Sequence, residues 1–113
     1  MTQAGLVRRL WGIKMIRHIV MWKYKNEFSE AENKENVLRV KRELEALAIG
    51  IDAIVEFKVY INELASSNMD VVLNSLFESE AALSAYQMHP EHQRVGAYVG
   101  TVLQERVCID YYE

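Results

Sequence analysis

Residues 16–25, IRHIVMWKYK, alternate along the chain. Ile16, His18, Val20, Trp22 and Tyr24 fall on one side; Arg17, Ile19, Met21, Lys23 and Lys25 fall on the other. Period-two spacing with β-branched and aromatic residues predicts a strand. Ile19 and Met21 are apolar too, so the second face is expected to be partly covered. The period then changes. Val37, Val40, Leu44 and Leu47 recur every three or four residues, the stripe of an amphipathic helix. Ser29 and Glu32 form a capping box, in which each side chain satisfies the other's backbone amide, and Gly50 is a natural stop. The helix is placed at 30–48.

Residues 51–61, IDAIVEFKVYI, alternate again and predict a second strand, with Ala53, Val55, Phe57, Val59 and Ile61 on one side. The turn-rich NELASSN at 62–68 separates it from DVVLNSLF at 70–77, which is apolar on both sides and reads as a strand covered on both faces. Ser79 caps a further helix that turns Leu83 and Tyr86 inward. Pro90, the only proline, interrupts it: proline has no amide hydrogen and disfavours helical geometry in the residue before it, yet it suits the first turn of a new helix. One helix is therefore expected to end near Met88 and another to start at Pro90, with His92, Val95, Val99 and Val102 on one stripe. RVCIDYY at 106–112 predicts a last strand. The order β-α-β-β-α-β is the ferredoxin-like plan, an α+β fold with one antiparallel four-stranded sheet and helices on one face. Strand one is expected in the centre with strand four beside it. The uncovered face carries Ile19, Met21 and half of strand three, too much apolar surface to leave in water, which predicts a homodimer closing two sheets into a dimeric α/β barrel.

Length and charge narrow the function. The 113 residues suit one domain, and a net charge of −3 gives no electrostatic case for nucleic acid. The single cysteine, Cys108, excludes an intrachain disulfide and suits a reducing compartment, so the expected setting is cytoplasmic. No apolar run approaches the ~20 residues of a membrane helix. Residues 1–14 differ in character: Leu6, Val7, Leu10 and Trp11 can share a helix face beside Arg8, Arg9 and Lys14, without the apolar core of a signal peptide. They are read as an N-terminal extension, and residues 15–113 as the folded domain.

The stretch YQMHPEHQ, 86–93, concentrates the candidate chemistry, holding two of the three histidines. With His18 on the central strand, and Asp110 and Cys108 on the strand beside it, Tyr86, His92, His18 and Asp110 are expected to converge on one helix–sheet cavity. An aspartate that accepts from one imidazole nitrogen leaves the other basic, and a tyrosine hydroxyl can polarise a carbonyl. Taken singly, each residue also has a structural reading. Asp110 can satisfy an amide or an arginine, Tyr86 can pack, His89 can sit at a helix end, and His92 can face solvent. No metal motif and no glycine-rich phosphate loop is present; Pro90 breaks the register that would align His89 with His92, and Cys108 in an apolar strand reads as packing. No metal and no cofactor is expected.

RHIVMWKYKNE, the FES after strand three, YQMHPEHQ and the terminal IDYY together resemble the stress-responsive A/B barrel domain (Dabb) family, over residues 15–113. The resemblance implies a small dimeric barrel. It also implies a comparison with olivetolic acid cyclase, a plant member that closes a linear polyketide by aldol condensation. Matched by motif, the cyclase's catalytic histidine falls on His92, its pocket tyrosine on Tyr86, its strand-one histidine on His18, and the aspartate supporting the catalytic histidine on Asp110. Val71 and about Val40 stand where the cyclase has a histidine and a tyrosine, so the pocket lining departs from it. The expected function is a homodimer that binds a small, mostly apolar organic molecule over Val20, Trp22, Val71, Leu73 and His89. The alternatives are a cofactor-free lyase or cyclase with His92 as general base, and a purely structural dimer.

Overall fold

The computed structural model describes residues 14–113, so the basic amphipathic face around Leu6 and Trp11 lies outside the described residues. The elements are β1 (Ile16–Tyr24), α1 (Glu30–Leu47), β2 (Ile54–Ile61), β3 (Val71–Phe77), α2 (Glu80–Met88), α3 (Pro90–Val102) and β4 (Leu103–Tyr112). All strand pairs are antiparallel and the sheet order is β2-β3-β1-β4. The fold is ferredoxin-like, with β1 in the centre beside β4.

The helices form where their caps and stripes predict. Ser29 accepts from the Glu32 amide at 3.1 Å while the Glu32 carboxylate accepts from the Ser29 amide at 2.9 Å. Val37, Val40, Leu44 and Leu47 of α1 bury their stripe with Leu83 and Tyr86 of α2 and Val95, Val99 and Val102 of α3. They form one core with Ile16, Val20, Trp22, Val59, Val71, Leu73 and Phe77 of the sheet. Among the described residues no helix is long and apolar enough to cross a membrane.

Two strand boundaries differ from the periodicity, each for a local reason. β2 starts at Ile54 rather than 51, because residues 51–53 turn back, with the Ile54 amide bonded to the Ile51 carbonyl at 3.3 Å. A register shift between Ile54 and Glu56 then leaves Val55 42% exposed instead of facing the core with Phe57 and Val59. β4 starts at Leu103 rather than 106. Its first half is disguised by a bulge in which Glu105 and Arg106 sit between Gln104, opposite Lys23, and Val107, opposite Met21.

β4 is one of the two edge strands, and its residues from Glu105 onward are exposed. Cys108, read as packing, is therefore exposed. The other side of the sheet carries Ile19 opposite Ile109 and Met21 opposite Val107. Val107, Ile109 and Tyr111 stand exposed there. Arg17 braces this face: its guanidinium donates to both Glu113 oxygens at 3.0 and 2.7 Å, and to Glu56 and Asn74 at 2.9 Å.

Candidate functional site

The junction at Pro90 builds the first part of the site. α2 ends at Met88, His89 is extended (ψ 133°), and α3 begins at Pro90. The last carbonyls of a helix need donors from outside it, and proline can supply none. The His89 amide donates to Tyr86 at 3.1 Å, and the Gln87 carbonyl is met by Nδ1 of His92 at 3.1 Å. A carbonyl only accepts, so Nδ1 of His92 carries the hydrogen and the neutral ring keeps its lone pair on Nε2. Burial lowers the pKa of this imidazole, against the Gln87 hydrogen bond that raises it; the charges of His18, Arg106 and His89 lower it further. At neutral pH the ring is a base. His89 does something different: its Nδ1 accepts from the Glu91 amide at 3.1 Å and so caps α3.

Tyr86 is wedged among aromatic rings, 4.4 Å from His92, 4.9 Å from Phe77 and 5.9 Å from Phe57 between centroids. Its ring is 1% exposed. Burial pushes its hydroxyl pKa well above the ordinary value, with the Arg106 charge opposing, so it remains a proton-bearing donor. Among the described residues the hydroxyl has no hydrogen-bond partner, which leaves it available to a ligand.

On the sheet, His18 and Asp110 face each other across β1 and β4 and are joined by a hydrogen bond from Nδ1 to the carboxylate. The Ser75 hydroxyl fixes the other side of that position by donating to the His18 carbonyl at 2.8 Å. Cys108 Sγ lies 3.7 Å from both His18 Nδ1 and Asp110 Oδ1. These three donors lie within 4.8 Å of one another, close enough to share an ion. Two observations weigh against a metal. Nδ1 and the carboxylate already bond each other, and the Arg106 guanidinium lies against Cys108, where it opposes a second cation.

A cavity of about 240 Å³ opens between these parts, lined by His18, Val20, Trp22, Leu44, Leu73, Tyr86, His92, Gly96, Val99, Gly100, Leu103, Gln104, Glu105 and Arg106. Two sequence features shape it. Gly96 and Gly100 present one bare face of α3, and a Cβ at either would meet nothing within 4 Å. The β4 bulge places Glu105 and Arg106 at the same wall, with Glu105 in the left-handed region at φ 54°.

His18, Tyr86 and His92, with Val20, Trp22 and Leu73, therefore line one space. Three expectations are corrected. Asp110 does not support His92: it holds His18 and lies outside the lining, because His92 spends its Nδ1 hydrogen on Gln87. Val71 is buried but off the cavity, where its cross-strand neighbour Trp22 takes the facing position. His89, anchored as a cap, borders a separate groove with Arg42, Leu47, Ile51 and Arg94. The periodicity passed over Arg106, whose position depends on a bulge, and the two glycines, whose four-residue spacing on one helix face was the available signal.

No curated protein matches the chain. A dimeric protein of unknown function and ferredoxin-like fold from Bacteroides fragilis is similar in structure, with a TM-score of 0.82 at 27% identity, over 88% of this chain and 96% of that one. A Dabb family protein from Mesorhizobium loti gives a TM-score of 0.63 at 24% identity, over 87% and 95%. Hydroxynitrile lyase from Passiflora edulis gives 0.74 at 16% identity, over 88% and 94%, a likeness of fold. The family described as the Stress responsive A/B Barrel Domain matches residues 16–113, every strand and helix described above, and the chain belongs to that family.

Proposed function

We propose that the chain is a homodimeric barrel that takes up a small, mostly apolar organic molecule in the cavity between helices and sheet. One observation carries this: the space of about 240 Å³ over Val20, Trp22, Leu73 and Val99, with Tyr86 and His92 offering a donor and a base to whatever enters. Its volume is below the about 300–1,000 Å³ of drug-sized sites, which suits a small guest. An unfilled space argues against a purely structural dimer. The exposed Cys108 thiol suits a reducing compartment such as the cytoplasm.

The dimer is supported by the exposed apolar side of the sheet at Val107, Ile109 and Tyr111, and by the dimeric relative from Bacteroides fragilis. A monomer in sedimentation at micromolar concentration would remove this part of the reading.

A second reading is favoured by the tautomer of His92. A base at Nε2 beside a tyrosine donor is the minimum needed for lyase or cyclase chemistry without a cofactor. His92 would take a proton from carbon or hydroxyl, and Tyr86 would hydrogen-bond the oxygen that gains charge. The Passiflora edulis lyase shows that the fold can carry a lyase, at an identity that says nothing of this site.

The test is native mass spectrometry of the freshly purified chain for a co-purified molecule, followed by Trp22 emission, with Trp11→Phe removing the second tryptophan, during titration with small aromatic and aliphatic compounds. A bound molecule displaced by His92→Trp supports the reading. An empty protein whose emission none of the compounds changes would defeat it. Given a substrate, His92→Ala abolishes turnover if the second reading holds and leaves binding within severalfold if only the first does.

A further inference from the structure

Arg106 places a guanidinium at the cavity wall. Glu105 pairs with Lys23 at 3.4 Å, Asp110 is bonded to His18, and among the described residues no acidic side chain forms an ion pair with Arg106. The guanidinium lies against the Cys108 thiol, and its charge reaches both Tyr86 and His92. Arg106 is the only arginine or lysine in the lining, opposite the single carboxylate of Glu105. The β4 bulge is what brings it there: two residues, Glu105 and Arg106, stand between the partners of Lys23 and Met21, and Glu105 adopts a left-handed backbone to allow it.

We propose that the cavity selects small organic acids, with the carboxylate of the guest held by Arg106 and its apolar body lying over Val20, Trp22 and Leu73. This rests on the small-molecule reading above and names its ligand class. A planar guanidinium fits a carboxylate through two parallel hydrogen bonds, which a neutral amide cannot reproduce. The Tyr86 hydroxyl, which has no hydrogen-bond partner among the described residues, supplies a further donor to the same oxygens or to a neighbouring carbonyl. An aryl or short-chain acid is of the size that the volume admits. If chemistry follows, the carboxylate anchors the acid while His92 faces its carbon skeleton; no step is required of Arg106 itself, which is a binding and positioning residue.

The experiment uses the full chain with Trp11→Phe, so that Trp22 is the single emitter, and matched probes, phenylacetate against phenylacetamide and 4-phenylbutyrate against its amide, read by Trp22 emission and by heteronuclear shifts of Gly96 and Gly100. The acid of each pair is expected to bind on the order of tenfold tighter than the amide, and the preference to shrink as salt rises. Arg106→Gln, at an exposed position, keeps the fold, checked by circular dichroism. It is expected to bring acid and amide to equal affinity by weakening only the acid. Equal affinities in the chain that keeps Arg106, or an acid preference that survives Arg106→Gln, overturn the proposal while leaving a small-molecule cavity standing. Failure of all four probes to perturb Trp22 and both glycines at millimolar concentration overturns the cavity reading together with it.

Discussion

His92 and Gln87 are joined across the break at Pro90, the imidazole Nδ1 donating to the carbonyl at 3.1 Å. One hydrogen bond thus closes the end of α2, which Pro90 leaves short of a donor, and selects the tautomer that keeps Nε2 basic. Structure and chemistry at this residue are coupled. His92→Ala removes the side-chain donor of the Gln87 carbonyl at an exposed turn and is expected to cost about 0.5–1.5 kcal/mol. His92→Asn retains a donor of similar reach and should recover part of that loss without recovering any base. Urea unfolding of the three proteins checks the order: unsubstituted, then asparagine, then alanine. Equal stability of the two variants would show that the Gln87 contact contributes nothing.

The same residue makes stability depend on pH. Burial and the neighbouring charges of His18, Arg106 and His89 lower its pKa in the folded chain. The unfolded chain, at about 6.5, therefore binds the proton more readily, and protonation favours unfolding. The contribution is complete above about pH 6.5 and is lost as pH falls through the lower folded value. Ordinary carboxylates titrate near about pH 4, so a drop in Tm that begins just below about pH 6.5 and is smaller in His92→Asn isolates this group. The C2 proton of His92 should titrate with a midpoint below 6.5; a midpoint above it would contradict the burial argument.

Much of the fold was legible because its signals are local. Ser29 with Glu32, the stripe from Val37 to Leu47, and Pro90 each act within one or two turns, and periods of two and 3.6 separate strands from helices. What escaped depends on partners distant in sequence. The start of β4 was hidden because a bulge breaks the alternation at Glu105, and a bulge is defined by the opposing strand. Val55 was turned outward by the same kind of irregularity in β2. In the site, His18, Tyr86 and His92 reach one space because two of them flank a break the sequence announces and the third lies on the central strand. The partner of Asp110 could not be read, since it depends on which acceptor His92 finds first, and that acceptor is a backbone carbonyl, invisible to residue types.

The bulge at Glu105 offers a test with an inverted sign. A side chain at φ 54° costs roughly 1 kcal/mol relative to glycine, whereas glycine in an ordinary strand is worse than alanine by about 0.5–1 kcal/mol. Glu105→Gly and Glu105→Ala both remove the exposed contact with Lys23, so their difference reports the backbone alone. Glu105→Gly is expected to be the more stable of the two by about 0.5–1 kcal/mol in denaturant titrations. The reverse order would mean that the backbone at 105 is not held in the left-handed region.

Gly96 and Gly100 separate the needs of the cavity from those of the fold. Both lie inside α3, where glycine is about 1 kcal/mol less favourable than alanine, and a methyl group at either meets no atom within 4 Å. Gly96→Ala and Gly100→Ala should therefore each raise stability by about 0.5–1 kcal/mol, in contrast to most substitutions near a core. The added methyls stand in the cavity, so the double variant should bind guests more weakly, most of all those that fill the space between α3 and Trp22. Thermal melts and Trp22 titrations on one set of proteins read both effects. A double variant that is more stable and binds as well as the parent would show that the bare face of α3 is not kept open for a ligand.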